Sequence, residues 1–166
     1  MQQALANIDL LCLDVDGVLT DGRLYYSSSG EELKTFYTQD GSALKRLQAS
    51  GVTLAIISGR TSTMVQRRAA ELGIKLLYEG FDDKLPALND LNKRTGIEFA
   101  RMAHVGDDVP DIVLFQHVGV GLSVADAHPD VQAAADLVAS LPGGKGAVRE
   151  LAELIIQARA QTSRTE

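Results

Sequence analysis

Two aspartates directly follow the first apolar run of the sequence, and their spacing could support phosphoryl chemistry. Asp14 and Asp16 stand two positions apart, just after the apolar segment 8–13. Carboxylates this close repel each other unless a cation or a shared proton relieves the repulsion. Mg²⁺ is the natural counter-ion because it binds a few carboxylates together with substrate phosphate oxygens. A lone Asp-x-Asp is also common in solvated turns, so the pair needs support from other residues.

A second group of acids follows another apolar run. Asp107, Asp108 and Asp111 lie within five positions of one another, directly after the predicted strand 102–105. One such acid could cap a helix by accepting backbone N–H groups. Three exceed that need, and we therefore interpret at least Asp107 as a metal ligand.

Groups that bind anions stand at two further places. Ser58 and Arg60 end the predicted strand 53–57, and Lys84 opens a predicted helix. A hydroxyl and a guanidinium bind phosphate or carboxylate oxygens, and a lysine at a helix N-terminus opposes the helix dipole unless an anion accompanies it. Taken singly, a capping serine and a solvated lysine explain these residues as well or better. Their joint placement after successive strands favours a phosphate site.

Short apolar runs alternate with segments of helical periodicity along the chain. Strands are predicted at 8–13, 53–57, 75–78, 102–105, 118–122 and 136–138. Helices are predicted from Asp40 to Gly51, from Thr61 or Ser62 to Gly73, over 85–96, from Pro110, and over 147–159. This alternation predicts an α/β fold, a doubly wound and mostly parallel sheet that binds ligands at the carboxyl ends of its strands.

The segment 23–37 departs from this alternation and predicts a small β-hairpin inserted after the first strand. Because an isolated hairpin is marginally stable in water, its apolar side chains should pack on their own domain or on hairpins of neighbouring subunits. These side chains are Leu24, Tyr26, Leu33 and Phe36. The whole chain, 1–166, fits one domain by its length, with a frayed tail at 160–166.

Composition excludes several classes of partner. The net charge of -6 and the 5% aromatic content, with no Trp, argue against nucleic acid. No apolar run reaches the length of a membrane span, and no secretory signal precedes the first strand. Cys12 is alone, which excludes an internal disulfide and suits the cytoplasm. The three histidines are poor ligands for Mg²⁺. We expect His104 to pack in a strand, His117 to lie on the surface, and His128 to be a loop or helix-start residue near the rim of the site.

In chain order, the acid pair, hydroxyl, lysine and acid cluster resemble the haloacid dehalogenase superfamily of phosphohydrolases. The similarity covers Leu10 to about Ala158. It is closest to the branch that acts on 3-deoxy-D-manno-octulosonate 8-phosphate, a precursor of bacterial lipopolysaccharide. The stretches that carry it are 14–22, 30–34, 124–129 and 143–150.

The resemblance implies Mg²⁺-dependent hydrolysis through an aspartyl-phosphate. Asp14 would be the nucleophile, and Asp16 would first protonate the leaving oxygen and then activate water. The metal would be held by Asp14, the backbone carbonyl of Asp16, and Asp107. Ser58 and Lys84 would hold the phosphoryl oxygens.

The resemblance also implies supporting residues, substrate contacts and an assembly. Asp108 and Asp111 would support the site from behind. The substrate contacts would be Asp16, Tyr37, Thr38, Gln39, Asp40, Gly41, Lys45, Arg60, Arg68 and Lys84. The sister branch, which acts on a nonulosonate 9-phosphate, usually carries Glu at the position of Arg60, so this arginine favours the octulosonate. Members with only a hairpin lack a separate cap domain and form homotetramers through it, with a small phosphorylated sugar acid as substrate.

Two other classes share part of this pattern. A phosphorylatable receiver domain has acids after an early strand and a late lysine, but its phosphoacceptor would stand where this chain has Ser58. An idle phosphatase-like scaffold is a second alternative. The presence of every expected catalytic residue, from Asp14 to Asp107, argues against it.

Overall fold

The computed structural model describes residues 1–30 and 32–162. The strands are β1 Leu10–Leu13, β2 Tyr25–Tyr26, β3 Glu32–Leu33, β4 Thr53–Ser58, β5 Leu76–Glu79, β6 Met102–Gly106, β7 Val120–Ser123 and β8 Leu137–Val138. The helices are α1 Gln2–Ala6, α2 Thr38–Ala49, α3 Thr63–Leu72, α4 Leu85–Thr95, α5 Ile112–Phe115, α6 Pro129–Ala134 and α7 Ala147–Thr162. Short 3-10 turns occupy Phe99–Arg101 and Val109–Asp111.

Six of the strands form one parallel sheet in the order β5-β4-β1-β6-β7-β8. Both of its faces are covered. Successive side chains of a strand point to opposite faces, and all four side chains of β1 are buried. Leu11 and Leu13 belong to a core shared with α1, α2, α3 and α7, whereas Leu10 and Cys12 belong to a core shared with α4 and α5. The predicted doubly wound α/β fold is thereby confirmed.

The register of the sheet brings three loops to one edge. Leu13 at the end of β1 is level with Ile56 in β4 and with Val105 in β6. Because the strands are parallel, the residues that follow them emerge at the same edge of the sheet. The loop after β1 therefore lies between the loops after β4 and β6.

Some predicted helix boundaries are confirmed and others are wrong. Helix α3 starts after Ser62 and ends at Gly73, whose φ of 72° is left-handed, as the sequence predicts. The prediction that Asp40 caps α2 is wrong, because the helix begins at Thr38 and Tyr37 is the capping residue. Pro110 lies in a 3-10 turn that precedes α5 rather than in the first turn of that helix.

Further differences lie at the chain ends and between strands. Helix α1 was not predicted, and for α6 only a possible start at His128 was predicted. His128 caps α6, in agreement with its predicted position at a helix start. Residues 160–162 of the predicted frayed tail are part of α7, while 163–166 lie outside the described residues. None of the helices in the described ranges is long and apolar enough to cross a membrane.

The insertion between β1 and α2 is a two-stranded antiparallel hairpin made of β2 and β3. No separate cap domain stands beside it in the described part of the chain. Of the four apolar side chains expected to pack, Phe36 contacts the core and lies under the guanidinium of Arg68. Leu24, Tyr26 and Leu33 are 39%, 64% and 63% exposed. Packing on their own domain is therefore wrong for these three.

Candidate active site

A cavity of about 370 Å³ opens at the carboxyl ends of the central strands. Its lining residues are Asp14, Asp16, Gly22, Ser58, Gly59, Arg60, Phe81, Asp82, Lys84, Asp107, Asp108, Pro110 and Asp111. The structure therefore brings together the acid pair, the Ser-Gly-Arg segment, the lysine and the acid cluster that the sequence singled out. The order of the strands is the physical cause, since β1 lies between β4 and β6.

Lys84 connects two of the acids. Its ammonium lies 2.9 Å from Oδ1 of Asp14 and 2.6 Å from Oδ1 of Asp111. Burial alone would lower the pKa of Lys84, but the two carboxylates outweigh burial and raise it well above its usual value. The ammonium is therefore a fixed positive charge on the cavity wall, and the solvated-lysine alternative is wrong, since this residue is 5% exposed.

The surroundings of Asp14 and Asp107 disfavour the ionised forms of both carboxyl groups. Burial raises the pKa of Asp107 to about 8, and the neighbouring charges of Asp14 and Asp111 add to the effect. Burial also raises the pKa of Asp14, despite the opposing charge of Lys84. A divalent cation beside these carboxyl groups would favour their ionised forms and so offset this effect.

The ligand set suits a hard cation. One carboxylate oxygen from each of Asp14, Asp107 and Asp111 lies within 4.8 Å of the others. Oδ1 of Asp107 is buried without a hydrogen-bond partner among the described residues, which is costly unless a ligand binds it. Oxygen donors of this kind are those that Mg²⁺ prefers. The residues therefore fit such an ion.

Of these three aspartates, Asp111 already accepts hydrogen bonds on both of its oxygens, which leaves Asp14 and Asp107 as the carboxylates most open to a metal. Oδ1 accepts from Lys84 and from His104, whose Nε2 lies 2.7 Å away. Oδ2 accepts the backbone N–H groups of Asp107 at 3.1 Å and Asp108 at 3.3 Å. Burial by itself would raise the pKa of Asp111, but His104 and Lys84 together hold it far below its usual range. The acid cluster is thus organised around one ionised side chain.

Two neighbours complete this cluster. Asp108 accepts the N–H of Val109 at 2.8 Å and caps the turn that contains Asp111. His104 does more than the strand packing expected of it, because it is fully buried and hydrogen-bonded to Asp111. An ionised carboxylate only accepts hydrogen bonds, so Nε2 of His104 carries the hydrogen.

Gly17 allows the loop after β1 to approach Asp107. Its φ is 88°, and a Cβ at this position would lie 1.9 Å from Oδ2 of Asp107. Any larger residue would push Asp107 away from its place beside the acid pair. The glycine is therefore needed for both the backbone conformation and the close contact.

The predicted sugar contacts divide into two groups. Asp16, Arg60 and Lys84 line the cavity. Tyr37 and Gln39 line a different cavity of about 380 Å³, beside the N-terminal part of α7. This chain alone does not bring the second group to the acid pair.

The remaining predicted contacts have partners elsewhere. The buried carboxylate of Asp40 accepts the N–H of Arg149 at 2.9 Å, at the start of α7. Arg68 pairs with Glu71 at 3.3 Å and lies over the ring of Phe36. The other predicted contacts, Thr38, Gly41 and Lys45, belong to α2 and are absent from the lining of the catalytic-side cavity.

Sequence reasoning gave no role to Lys34. Its ammonium contacts Oδ1 of Asp16 and lies 3.3 Å from Oε1 of Glu32, and its side chain is 1% exposed. Arg60 stands beside this group, with Nε 3.9 Å from Oδ2 of Asp16 and a hydrogen bond to the hydroxyl of Tyr26. The signal available in the sequence was a lysine within the predicted hairpin 23–37, the segment that follows the acid pair.

Comparison with known proteins agrees with this fold. Residues 77–148 match the model of the haloacid dehalogenase-like hydrolase family. The 3-deoxy-D-manno-octulosonate 8-phosphate phosphatase of Haemophilus influenzae is 44% identical over 163 residues, which are 98% of this chain and 91% of that protein. The chain belongs to the haloacid dehalogenase-like hydrolases, as its motifs indicated.

Solved structures extend the similarity to three dimensions. The Moraxella catarrhalis 3-deoxy-D-manno-octulosonate 8-phosphate phosphatase, in complex with magnesium ion, phosphate ion and KDO molecule, superposes with a TM-score of 0.94. It is 46% identical, and the match covers 99% of this chain and 94% of that one. The cobalt-bound Haemophilus influenzae enzyme gives a TM-score of 0.92 at 43% identity, covering 96% and 94%.

Proposed function

We propose that this protein is a Mg²⁺-dependent phosphatase that hydrolyses 3-deoxy-D-manno-octulosonate 8-phosphate to the free sugar acid and phosphate. One observation carries the reaction: the ammonium of Lys84 lies between Asp14 and Asp111 in a cavity that also contains Asp107, with its unpartnered oxygen. The names of relatives 44% and 46% identical support the substrate.

The metal would be held by Asp14, Asp107 and the backbone carbonyl of Asp16. When bound, it would neutralise charge on the carboxylates and on the phosphoryl oxygens. Asp111 would not bind the metal directly, because four hydrogen-bond donors already occupy its oxygens.

The side chains then divide the reaction into two steps. Asp14 attacks phosphorus while the bond from phosphorus to the sugar oxygen breaks, and Asp16 gives that oxygen a proton. Asp16 then takes a proton from the water that cleaves the aspartyl-phosphate, which restores both carboxyl groups. Lys84 and Ser58 hold the phosphoryl oxygens throughout, so their contribution is electrostatic.

The proposal extends to a homotetramer in the cytoplasm, with residues 1–166 as one catalytic domain. Exposed apolar side chains on the hairpin support assembly, because such patches mark interfaces. They include Tyr26 and Leu33, which are 64% and 63% exposed. In such an assembly, the predicted sugar contacts of 37–41, Lys45 and Arg68 would serve a neighbouring subunit's site. Sedimentation tests this, and a monomer at assay concentration would contradict it.

Phosphate release from a panel of sugar phosphates, with Mg²⁺ or with EDTA, tests the activity. We expect the octulosonate 8-phosphate to be turned over with the highest kcat/KM, and EDTA to abolish turnover. Asp14→Asn should remove activity, whereas Asp130→Asn should retain it, because Asp130 is exposed on α6. Preference for a nonulosonate 9-phosphate would overturn the substrate alone. Turnover that persists in EDTA would overturn the metal-dependent mechanism.

A further inference from the structure

Lys34 turns inward from a hairpin whose neighbouring side chains face solvent. Its side chain is 1% exposed, while Leu33 and Tyr26 are 63% and 64% exposed. Burying an ammonium is costly unless carboxylates compensate it. Two do so here: Glu32 of β3 at 3.3 Å, and Asp16 of the loop after β1 in direct contact. The hairpin is thus tied to the acid pair through one lysine.

The two carboxylate oxygens of Asp16 have different surroundings. Lys34 occupies Oδ1, whereas the nearest approach of Arg60 to Oδ2 is 3.9 Å, beyond hydrogen-bond distance. The arginine contact therefore leaves Oδ2 able to face a ligand in the cavity. A proton donor is effective only when it is aimed at the atom that receives the proton. The side chain of Asp16 is 23% exposed and needs such a support.

We propose that Lys34 is a positioning residue, which holds Oδ1 of Asp16 so that Oδ2 is aimed at the leaving oxygen of the substrate. The proposal rests on the phosphatase reaction described above. In its first step, the bond from phosphorus to the leaving oxygen breaks as the bond to Asp14 forms. The electron pair stays on the leaving oxygen, which takes the proton from Oδ2 of Asp16.

The dependence on the leaving group distinguishes this role from a structural one. A sugar alkoxide is strongly basic and leaves poorly without a proton, whereas nitrophenolate leaves without one. Because Asp16 also activates water in the second step for every substrate, the comparison is made on kcat/KM, which reports the first step alone. Loss of the support for Asp16 should lower kcat/KM for sugar phosphates and spare kcat/KM for p-nitrophenyl phosphate. A general loss of folding or metal binding would slow both.

The experiment compares Lys34→Met, Lys34→Arg and Asp16→Asn. The matched control is Lys75→Met, because Lys75 is exposed and precedes β5, at the opposite edge of the sheet. Each variant is assayed with the octulosonate 8-phosphate, with an aldopentose 5-phosphate that lacks a carboxylate, and with p-nitrophenyl phosphate. Thermal melts verify that each variant is folded.

For Lys34→Met we expect kcat/KM for both sugar phosphates to fall on the order of 100-fold, the low end of a general acid's contribution. We expect kcat/KM for p-nitrophenyl phosphate to fall less than about threefold, because its first step needs no proton donor. Lys34→Arg should recover much of the loss, and Lys75→Met should match the wild type.

Three results would overturn the proposal. Equal losses of kcat/KM on all three substrates would show a structural role. A loss of kcat/KM confined to the octulosonate, with the aldopentose phosphate unaffected, would show that Lys34 binds the octulosonate carboxylate instead. A selective loss of activity on sugar phosphates in Asp16→Asn, without any in Lys34→Met, would exclude the positioning role of Lys34 and leave that of Asp16 as proton donor. If Asp16→Asn itself shows no selectivity, the general-acid role of Asp16 fails and this proposal fails with it.

Discussion

Nε2 of His104 lies 2.7 Å from Oδ1 of Asp111, and both side chains are buried. The histidine belongs to β6 and the aspartate to the turn that follows it. Through this bond, a residue of the sheet supports the carboxylate that also holds Lys84 and the backbone of Asp107. The core of the protein is thereby connected to the floor of the cavity.

Replacing this histidine should destabilise the protein. His104→Phe keeps a ring of similar size but removes a donor from an ionised, buried carboxylate, and we expect the free energy of unfolding to fall by about 2 kcal/mol. Urea denaturation measures the change. His117→Phe is the control: His117 is exposed, and we expect a change within about 0.5 kcal/mol. Equal losses in both variants would contradict a specific role for the bond to Asp111.

Gly17→Ala should disrupt metal binding. The added Cβ would meet Oδ2 of Asp107 at 1.9 Å, so the carboxylate must move. Gly96→Ala is a matched control, since Gly96 also has a positive φ, of 69°, but nothing lies within 4 Å of its Cβ. Both variants should lose about 1–2 kcal/mol of stability from the strained backbone. Only Gly17→Ala should weaken Mg²⁺ affinity, measured by titration calorimetry; equal affinities in the two variants would contradict this.

The stabilisation by Mg²⁺ should grow as pH rises. The folded-state pKa of Asp107, about 8, lies above its ordinary value of 3.8. Folding therefore favours the protonated form, and this contribution is full below the ordinary value and is lost as pH rises through about 8. The metal-free protein should become less stable over that window, while Mg²⁺, which binds the ionised form, compensates increasingly.

Thermal melts with EDTA and with Mg²⁺, between about pH 6 and about pH 9, measure this effect. Asp107→Asn is the control, because it cannot titrate, and its melting temperature should depend less on pH and on Mg²⁺. A difference between the EDTA and Mg²⁺ melts that does not change with pH would contradict the expected linkage.

The convergence of Asp14, Ser58 and Asp107 on one cavity could be predicted from the sequence because parallel strands impose a simple rule. Residues that directly follow neighbouring strands must meet at one edge of the sheet. Asp14 and Asp107 each follow a strand, and Ser58 ends one; all three strands are apolar enough to be recognised locally. Their convergence therefore required no knowledge of side-chain contacts.

The partners of the predicted sugar contacts could not be predicted in this way. Aspartate is a residue type preferred at helix N-caps. The carboxylate of Asp40 nevertheless accepts the N–H of Arg149, 109 residues further along the chain. A local preference was overridden by a partner that only the folded chain supplies. Helix α2 begins at Thr38, two residues before Asp40.

By itself the sequence determined the α/β fold, and it indicated which loops, with their acids, meet at one end of the sheet. These features depend on apolar periodicity and on the residues next to each strand. Only the tertiary structure decided which lone pairs are occupied: Asp111 by His104 and Lys84, and Asp16 by Lys34. Hydrogen bonds between distant segments leave no periodic trace in a sequence, and their geometry exists only once the sheet and the hairpin have formed.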